Sequence, residues 1–197
     1  MAGNRKAYNS QQTREYIKET FLRLYAKKGM QGVSVVSLCN ECGIVRSTFY
    51  SYFDDKYAVL EEIGDDYIEK LRAINTPIPE YSFEVIKQGL PSDQIIQTIA
   101  FIRENRQQLR LLLSPNETTA FENKWRREME YEYVQLFKGM IQNPIQLELS
   151  KTIFAYAAMG IYTNYILGKI ELTQQELTAT MGSVFQYSLY GLWQSKR

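Results

Sequence analysis

The chain has 197 residues, of which 45% are apolar and none is histidine. This length and composition can fill the core of one large domain or two small ones. Without histidine, the chain cannot carry the His-dependent nucleophile pairs or His-ligated metal sites that many enzymes use. Its two cysteines give no disulfide framework, and no apolar run is long enough for a transmembrane helix. We therefore expect an intracellular, cytoplasmic protein with no membrane partner.

The charges are divided unevenly along the chain. Residues 1–57 hold nine Lys and Arg against five Asp and Glu, whereas residues 58–197 hold 14 against 17. The net charge of +1 is thus the sum of +4 and −3. A positive first part with a slightly negative remainder fits a protein that meets phosphate with one end, although chance alone also produces differences of this size.

Residues 1–9 are polar and without periodicity, which predicts a solvated arm whose Arg5 and Lys6 could also reach nucleic acid. Apolar residues then recur at helical spacing over residues 10–28, and Gly29 ends this predicted helix. A longer helix is expected to begin after Asp55, where acidic residues suit a helix N-terminus.

Between these two helices, the sequence predicts two short helices joined at Gly43. Ser34 can cap the first, because its hydroxyl can accept a hydrogen bond from a first-turn amide, and Gly43 suits a left-handed helix end. The second has Phe49 and Phe53 on one face. Polar side chains suited to base edges and phosphates occupy the other face: Arg46, Ser47, Thr48, Tyr50, Ser51 and Tyr52. This arrangement is typical of a helix-turn-helix, whose second helix reads the major groove.

The remainder of the chain also has helical periodicity and no strand signal, so the predicted fold class is all-α. A proline-rich break over residues 76–82 separates the two parts. The predicted helices beyond it run over residues 93–113 (capped by Ser92), 117–142 (capped by Asn116), 146–168, and from a Thr173–Glu176 capping box to about residue 194.

Several residues of the first part match a known pattern in order and spacing: Lys28-Gly29, Ser34, Leu38-Cys39, Cys42-Gly43-Ile44, Ser47-Thr48-Phe49-Tyr50, Tyr52-Phe53, Lys56 and Leu60. Over roughly residues 10–60 the chain resembles the DNA-binding domain of the TetR family of transcriptional regulators. The resemblance implies a helix-turn-helix domain at residues 1–57 and a helical regulatory and dimerisation domain at residues 58–197. It implies a double-stranded DNA operator and a second copy of the chain as partners, with no catalytic residue, metal or cofactor.

The resemblance also assigns roles to individual residues. Tyr50 and Lys56 match positions that contact DNA phosphates, and Ser34 matches a hydroxyl that bonds phosphate as well as capping. Arg46 is the candidate for guanine, because its fork can bond O6 and N7 together, and Val36 is the candidate for a thymine methyl. Where the family often has Ser or Thr before the recognition helix, this chain has Val45, which cannot cap.

Cys39 and Cys42 occur in a C-x-x-C spacing that has two interpretations. In the family the matching positions hold small residues packed between helices, which favours a core role. A thiol-redox sensor is the alternative, whereas a structural zinc site normally needs four Cys or His ligands and the chain has only two.

The second part holds the candidate effector and dimer residues. Aromatic residues at helical spacing there could fill a core or line a small-molecule pocket, for which the candidates are Phe101, Trp125, Phe137 and Tyr156. In the family the last two helices pair with those of a second subunit, and the matching small and apolar residues here are Ala155, Met159, Tyr162, Ile166, Met181, Val184, Phe185, Ser188 and Leu192.

These observations predict a homodimeric transcriptional regulator without catalytic activity. We expect a repressor of a palindromic operator that an unidentified small molecule releases. Residues 159–177 resemble a subgroup that includes a regulator of dihydroxyacetone kinase genes, which leaves an activator or co-regulator role open.

Overall fold

The computed structural model describes residues 10–76, 85, 88–114 and 119–190. Within these residues the chain forms nine α-helices and one 3-10 turn over Met30–Gly32, without a strand, so the all-α prediction is confirmed. No helix in this part of the chain is long and apolar enough to cross a membrane. The helices are α1 (Ser10–Lys28), α2 (Val35–Cys42), α3 (Arg46–Tyr50), α4 (Lys56–Asn75), α5 (Asp93–Glu104), α6 (Arg106–Leu112), α7 (Thr119–Phe137), α8 (Pro144–Leu167) and α9 (Gln174–Tyr190).

The chain divides into two compact units, Met1–Asp65 and Asp66–Arg197, and the division falls inside α4. The sequence placed this boundary earlier, between residues 57 and 58. The boundary moves because the first turns of α4 bury Val59 and Ile63 in the core of the first unit. The predicted break over residues 76–82 lies, except for its first residue, outside the described residues.

The first unit is built on α1, which packs against α2 and the 3-10 turn, while α2 packs against α3. The largest fully buried side chains of its core are Ile17 and Phe21 of α1, Leu38 of α2 and Phe49 of α3. Burial of such apolar side chains is the main force that holds these short helices in place, since a five-residue helix has little stability alone.

The second unit is a helical bundle in which α8 is central. It packs against α6, α7 and α9, and α9 packs in turn against α5. Tyr133 and Phe137 of α7 and Ile166 of α8 are almost fully buried between these helices. The Tyr133 hydroxyl lies 3.1 Å from Ser188 Oγ, which bonds the Phe185 carbonyl, so the aromatic core includes a satisfied polar pair.

The helix predicted over residues 93–113 is in fact two helices, α5 and α6, which separate at Asn105. This residue has φ −108° and ψ 16°, outside the helical region, and its Nδ2 donates to the Phe101 carbonyl at 2.8 Å. The side chain thus adds a second hydrogen bond to a carbonyl that already accepts from the Asn105 amide at 3.0 Å, which stabilises the end of α5. Apolar periodicity continues across the break, so the sequence pattern alone could not reveal it.

Asparagine and threonine caps position the last two helices. Asn143, expected near the end of a helix, instead caps α8, since its Oδ1 accepts from the Ile145 amide at 2.9 Å. The predicted capping box before α9 is confirmed, with Thr173 and Glu176 bonding each other's amides at 3.2 and 2.8 Å. Asn116 and the predicted end of the last helix lie outside the described residues.

Gly182 of α9 lies directly against the backbone that precedes α5. A Cβ at this position would come within 2.8 Å of the Gly89 carbonyl oxygen and 3.2 Å of the Pro91 nitrogen, closer than packed atoms approach. Gly89 has a φ of 72°, in the left-handed region that favours glycine. This close contact fixes the backbone immediately before Ser92, whose hydroxyl caps α5.

Candidate nucleic-acid interface and ligand cavity

Helices α2 and α3 are the two predicted short helices, and Gly43 joins them in the left-handed conformation, with φ 65° and ψ 30°. Ser34 Oγ accepts from the Ser37 amide at 3.1 Å, which confirms the predicted cap of α2. Ser37 Oγ also accepts from the Ser34 amide at 3.0 Å, a reciprocal bond that the sequence analysis missed. The helix-turn-helix geometry is therefore supported by local hydrogen bonds at its start and by glycine at its turn.

Helix α3 presents a polar face to solvent. Arg46 and Ser47 in its first turn are exposed, and Tyr50 at its end is 55% exposed. Val45 precedes the helix without a side-chain cap, as the sequence predicted. The opposite face buries Phe49 completely, so the helix is anchored by one aromatic ring and keeps its polar residues outside.

Four other residues predicted to contact DNA differ in the exposure of their side chains and in the hydrogen bonds that they can still form. Val36 is 41% exposed on α2, whereas Thr48 and Tyr52 are half-buried. Ser51 Oγ donates to the Thr48 carbonyl at 2.7 Å, so its hydroxyl proton is used within the chain. In this conformation Ser51 could meet an external group only as an acceptor.

Lys56 is held beside the start of α2 by two backbone carbonyl groups. Its Nζ donates to Met30 O at 2.8 Å and to Val33 O at 2.9 Å. Because an ammonium group carries three N–H donors, a third remains beyond these two bonds. The positive charge is thus placed next to the Ser34 cap by the backbone itself.

Cys39 is buried in the first unit and Cys42 is partly buried, and both are free thiols. Burial raises the pKa of each thiol above its usual value. A raised thiol pKa lowers the thiolate fraction near neutral pH, and the thiolate is the reactive form. Within the described residues, no group of three or more Cys, Asp or Glu side chains could hold a metal ion.

The second unit contains a partly open cavity of about 70 Å³, bounded by residues of α4, α5, α7, α8 and α9. Among its walls are Trp125 and Tyr162, whose rings lie parallel within 4° at 5.7 Å between centroids. The lining residues are Asn75, Ser92, Gln94, Ile95, Thr98, Trp125, Met129, Glu132, Tyr133, Leu136, Phe154, Tyr162 and Phe185.

Of the four predicted pocket residues, Trp125 lines this cavity and the other three lie elsewhere. Phe101 packs against the Tyr67 ring. Phe137 is fully buried in the core, and Tyr156 is 59% exposed on the surface. Aromatic residues recur at the same helical spacing whether they line a pocket, fill a core or lie on the surface. The spacing alone therefore could not identify the residues that line this cavity.

Glu132 of α7 is the polar cavity residue that sequence reasoning missed. Its carboxylate accepts a hydrogen bond from Asn75, but Oε1 is buried and has no hydrogen-bond partner among the described residues. Burial raises the pKa of Glu132 to about 8, and the nearby Glu128 adds to this while Arg72 opposes it. The available signal was its place three residues after Met129 on the apolar stripe of α7.

Most residues that the resemblance assigned to dimerisation pack inside the protomer, and their assignment to a partner-facing surface is corrected accordingly. Six side chains are buried in the core of the second unit, where a partner could not reach them: Ala155, Met159, Tyr162, Ile166, Met181 and Ser188. Val184 and Phe185 are half-buried, and the Phe185 ring stacks on Tyr133. Leu192 lies outside the described residues.

A different face of α8 carries the exposed apolar side chains. Leu149, Ile153 and Tyr156 are 46%, 47% and 59% exposed. Their spacing of i, i+4 and i+7 places them on one stripe of the helix. Gly160 continues this stripe, and a Cβ there would meet nothing within 4 Å. We call Leu149, Ile153, Tyr156 and Gly160 the outer stripe of α8.

Residues 19–63 match the family described as bacterial regulatory proteins, tetR family. The chain is 25% identical over 182 residues to the uncharacterized HTH-type transcriptional regulator YerO of Bacillus subtilis (strain 168). That alignment covers 84% of this chain and 61% of the relative, so the chain spans about three fifths of the relative's length.

Solved structures share the fold along nearly the whole chain. A putative TetR-family transcriptional regulator from Syntrophomonas wolfei str. Goettingen is similar with a TM-score of 0.71 and 15% identity, covering 93% of this chain and 98% of the other. The dihydroxyacetone kinase operon activator DhaS is similar with a TM-score of 0.63 and 16% identity, with the same coverage. The family and these homologues are transcriptional regulators, not enzymes.

The family match runs from the second half of α1 through α2 and α3 to the start of α4, and it includes Ser34, Gly43 and Lys56 of the helix-turn-helix described above. A helical second unit follows, as in the structural neighbours. Residues 19–63 of the chain therefore belong to the tetR family of bacterial regulatory proteins, and the chain as a whole shares the fold of its structural neighbours.

Proposed function

We propose that the chain is a cytoplasmic, homodimeric repressor that binds a palindromic operator and dissociates from it when a small molecule enters the cavity of the second unit. The observation that carries the DNA-binding part is the exposed polar face of α3 beside the anchored ammonium of Lys56. A helix with such a face can enter the major groove while the lysine contacts the phosphate backbone.

The exposed residues support a division of roles on DNA. Arg46 is exposed at the first position of α3 and suits guanine, because its guanidinium can bond O6 and N7 together. Tyr50 and the third N–H of Lys56 suit phosphates, as does the hydroxyl of Ser34. Ser47 and Thr48 lie beside Arg46, and the exposed Val36 suits a thymine methyl.

We expect the dimer to form through the outer stripe of α8 rather than through the buried residues first assigned to it. Large apolar side chains exposed in one stripe are typical of protein interaction sites. A second copy is the partner that fits, because one short recognition helix reads few base pairs, whereas a two-fold dimer reads two half-sites.

The DNA-binding part is tested by selecting DNA fragments with the purified protein and measuring affinity at several salt concentrations. Lys56→Ala should weaken binding to all sequences alike and reduce the salt dependence by about one phosphate contact, or about 0.9 in the log–log slope. Arg46→Ala should instead relax preference at one base pair per half-site, at a cost of roughly 1–3 kcal/mol. Exposed Arg127 of α7 provides the matched control, since Arg127→Ala should leave both measurements unchanged. Selection that enriches no sequence would contradict the proposal.

The dimer is tested by sedimentation of a double variant, Leu149→Glu with Ile153→Glu. Charges placed in an apolar interface are costly, so the variant should sediment as a 23 kDa monomer and lose operator binding. Tyr131 of α7, 60% exposed, serves as the control, and Tyr131→Glu should remain dimeric. A wild-type monomer that binds one half-site specifically would refute the dimer.

An activator or co-regulator is the second candidate, and residues 159–177 favour it through their resemblance to regulators of dihydroxyacetone kinase genes. The overall likeness to the operon activator DhaS, at 16% identity, shows a shared fold alone. A reporter gene placed behind the selected operator distinguishes the two roles. Expression should fall with the protein present if it represses and rise if it activates.

A further inference from the structure

The cavity of the second unit combines aromatic walls with one carboxyl group. Trp125, Tyr133, Tyr162 and Phe154 supply the rings, and Glu132 supplies the carboxyl group. Its Oε1 is buried without a hydrogen-bond partner among the described residues, while the other oxygen is bonded by Asn75. Asn75 is itself held in place, since the Thr98 hydroxyl donates to its Oδ1 at 3.3 Å.

A buried acceptor without a donor is costly, and a glutamine at this position could keep the contact with Asn75 at a lower cost. The structural role of Glu132 alone therefore does not account for an ionisable carboxyl group at this position. A ligand that brings a donor and a positive charge would use both the vacant acceptor and the negative charge.

We propose that this cavity binds a protonated organic amine, whose ammonium N–H donates to Glu132 Oε1 and whose carbon body packs on Trp125 and Tyr162. This inference rests on the proposed function only where it implies that the amine regulates DNA binding. The binding of the amine to the cavity itself requires no DNA. It assigns a chemical class to the small molecule that was left unidentified above.

The charges around Glu132 support a cation over an anion. Arg72 is engaged by Glu128 through two bonds of 2.6 and 2.7 Å, so its positive charge is already paired. An ionised Glu132 therefore makes the cavity negative. A ring of the cavity wall that presents its face to the ligand adds to this preference, since a cation over the face of Trp or Tyr is attracted by the ring.

The volume of the cavity limits the ligand to a compact group. About 70 Å³ is roughly half of the 150 Å³ apolar cavity known to hold benzene, so an ammonium group with a few carbons fits inside. Since the cavity is partly open, a longer or aromatic body could extend towards its mouth.

Protonation gives the proposed site a distinctive pH dependence. With its pKa raised to about 8, Glu132 is mostly protonated at pH 7 when the cavity is free. Binding a cation favours the carboxylate, so the Glu132 proton is released to the buffer as the ion pair forms. The amine affinity should rise roughly tenfold per pH unit up to about pH 7.5 and level off above pH 8. Arg72 stays ionised in this window because its hydrogen bonds to Glu128 raise its pKa, while Tyr162 stays neutral because burial raises its pKa.

The test is calorimetric titration of the DNA-free protein with matched pairs: butylamine against 1-butanol, and benzylamine against benzyl alcohol. We expect each amine to bind at least tenfold more tightly than its alcohol at pH 8. Titration at pH 7 in buffers of different ionisation enthalpy should show release of close to one proton per amine. Glu132→Gln should abolish both the preference and the proton release. Glu130→Gln should keep both, because Glu130 pairs with Arg126 instead.

Equal binding of amines and alcohols, absence of amine binding, or a preference that survives in Glu132→Gln would overturn the proposal. So would an affinity that falls as the pH rises, which would identify a neutral hydrogen-bond acceptor as the ligand. Operator binding is measured separately without amine. Its failure would count against the proposed function, whereas the titrations would still decide the chemistry of the cavity.

Discussion

Two glutamates, one in each unit, show how differently the two parts of the chain use the same side chain. Glu62 in the first unit accepts from Arg14 Nε at 2.6 Å and lies 3.4 Å from Lys18 Nζ. The hydrogen bonds from Arg14, with a further contribution from Lys18, hold the pKa of Glu62 below its usual value. Glu132 in the second unit has a raised pKa and an unbonded Oε1.

The contrast indicates that the two carboxyl groups have different roles in the structure. In the first unit the carboxylate ties α4 to α1 and so helps to hold the support on which α2 and α3 pack. In the second unit the carboxyl group is left unsatisfied beside a cavity, an arrangement that costs stability in the free protein. Groups of this kind are found where a site is prepared for a ligand.

The largest expected effect tests how tightly the first unit is packed. Phe49 is fully buried and its ring contacts that of Phe53, so Phe49→Ala should lower the free energy of unfolding by about 3–5 kcal/mol. Chemical denaturation followed by circular dichroism measures this loss. The neighbouring Tyr50→Ala removes an exposed ring and should change stability little while weakening DNA binding. A loss below 1 kcal/mol for Phe49→Ala would mean that the first unit is loosely packed.

An intermediate effect tests the unsatisfied carboxyl group of the second unit. Because the pKa of Glu132 is higher in the folded chain than in the unfolded one, the folded state binds more protons between about pH 4.5 and pH 8. The cost of the carboxylate is absent below pH 4.5, grows through this range and is complete above pH 8. Glu132→Gln should therefore be more stable than wild type by a few kcal/mol at pH 9 and by little at pH 4.5. Equal stability at pH 9 would show that Glu132 is solvated.

The smallest effect tests the paired carboxylate of the first unit. A lowered pKa means that Glu62 stabilises the fold above the unfolded pKa near 4.5 and that this stability is lost as the pH falls through the folded pKa. Glu62→Gln should cost about 1 kcal/mol at pH 7, since the pair is partly exposed, and less at low pH. Glu19→Gln, at an exposed position of α1, should cost close to nothing. A gain in stability for Glu62→Gln would mean that Glu62 destabilises the first unit, as Glu132 is expected to destabilise the second.

Local signals explain why the first unit was predictable from sequence. The bounds of α1, the Ser34 cap and the Gly43 turn each depend on residues within one or two helical turns. The Lys56 contacts with Met30 and Val33 could not be read this way, because they join residues 23 and 26 positions apart. They depend on how the first turn of α4 packs, which the sequence pattern does not specify.

The helices of the second unit could be predicted from the sequence, but its cavity and the residues that line it could not. The break at Asn105 and the cavity both result from packing among helices that are distant in sequence. Glu132 lies on the apolar stripe of α7, but a single glutamate there gives no sign that residues of α8 and α9 enclose it in a cavity. For the same reason, periodicity could not separate the buried Ile166 from the exposed Ile153 on the same helix.

The contact between Gly182 and Gly89 has a consequence for how the regulator can diversify. Even a methyl group at position 182 would press on the backbone of residues 89–91 and shift the segment that leads into Ser92 and Gln94 of the cavity wall. Mutation at 182 thus offers a route by which descendants of this chain could change the shape of the cavity while keeping every side chain that lines it. In an alignment of divergent relatives, glycine at 182 should accordingly mark those that share one shape of this cavity.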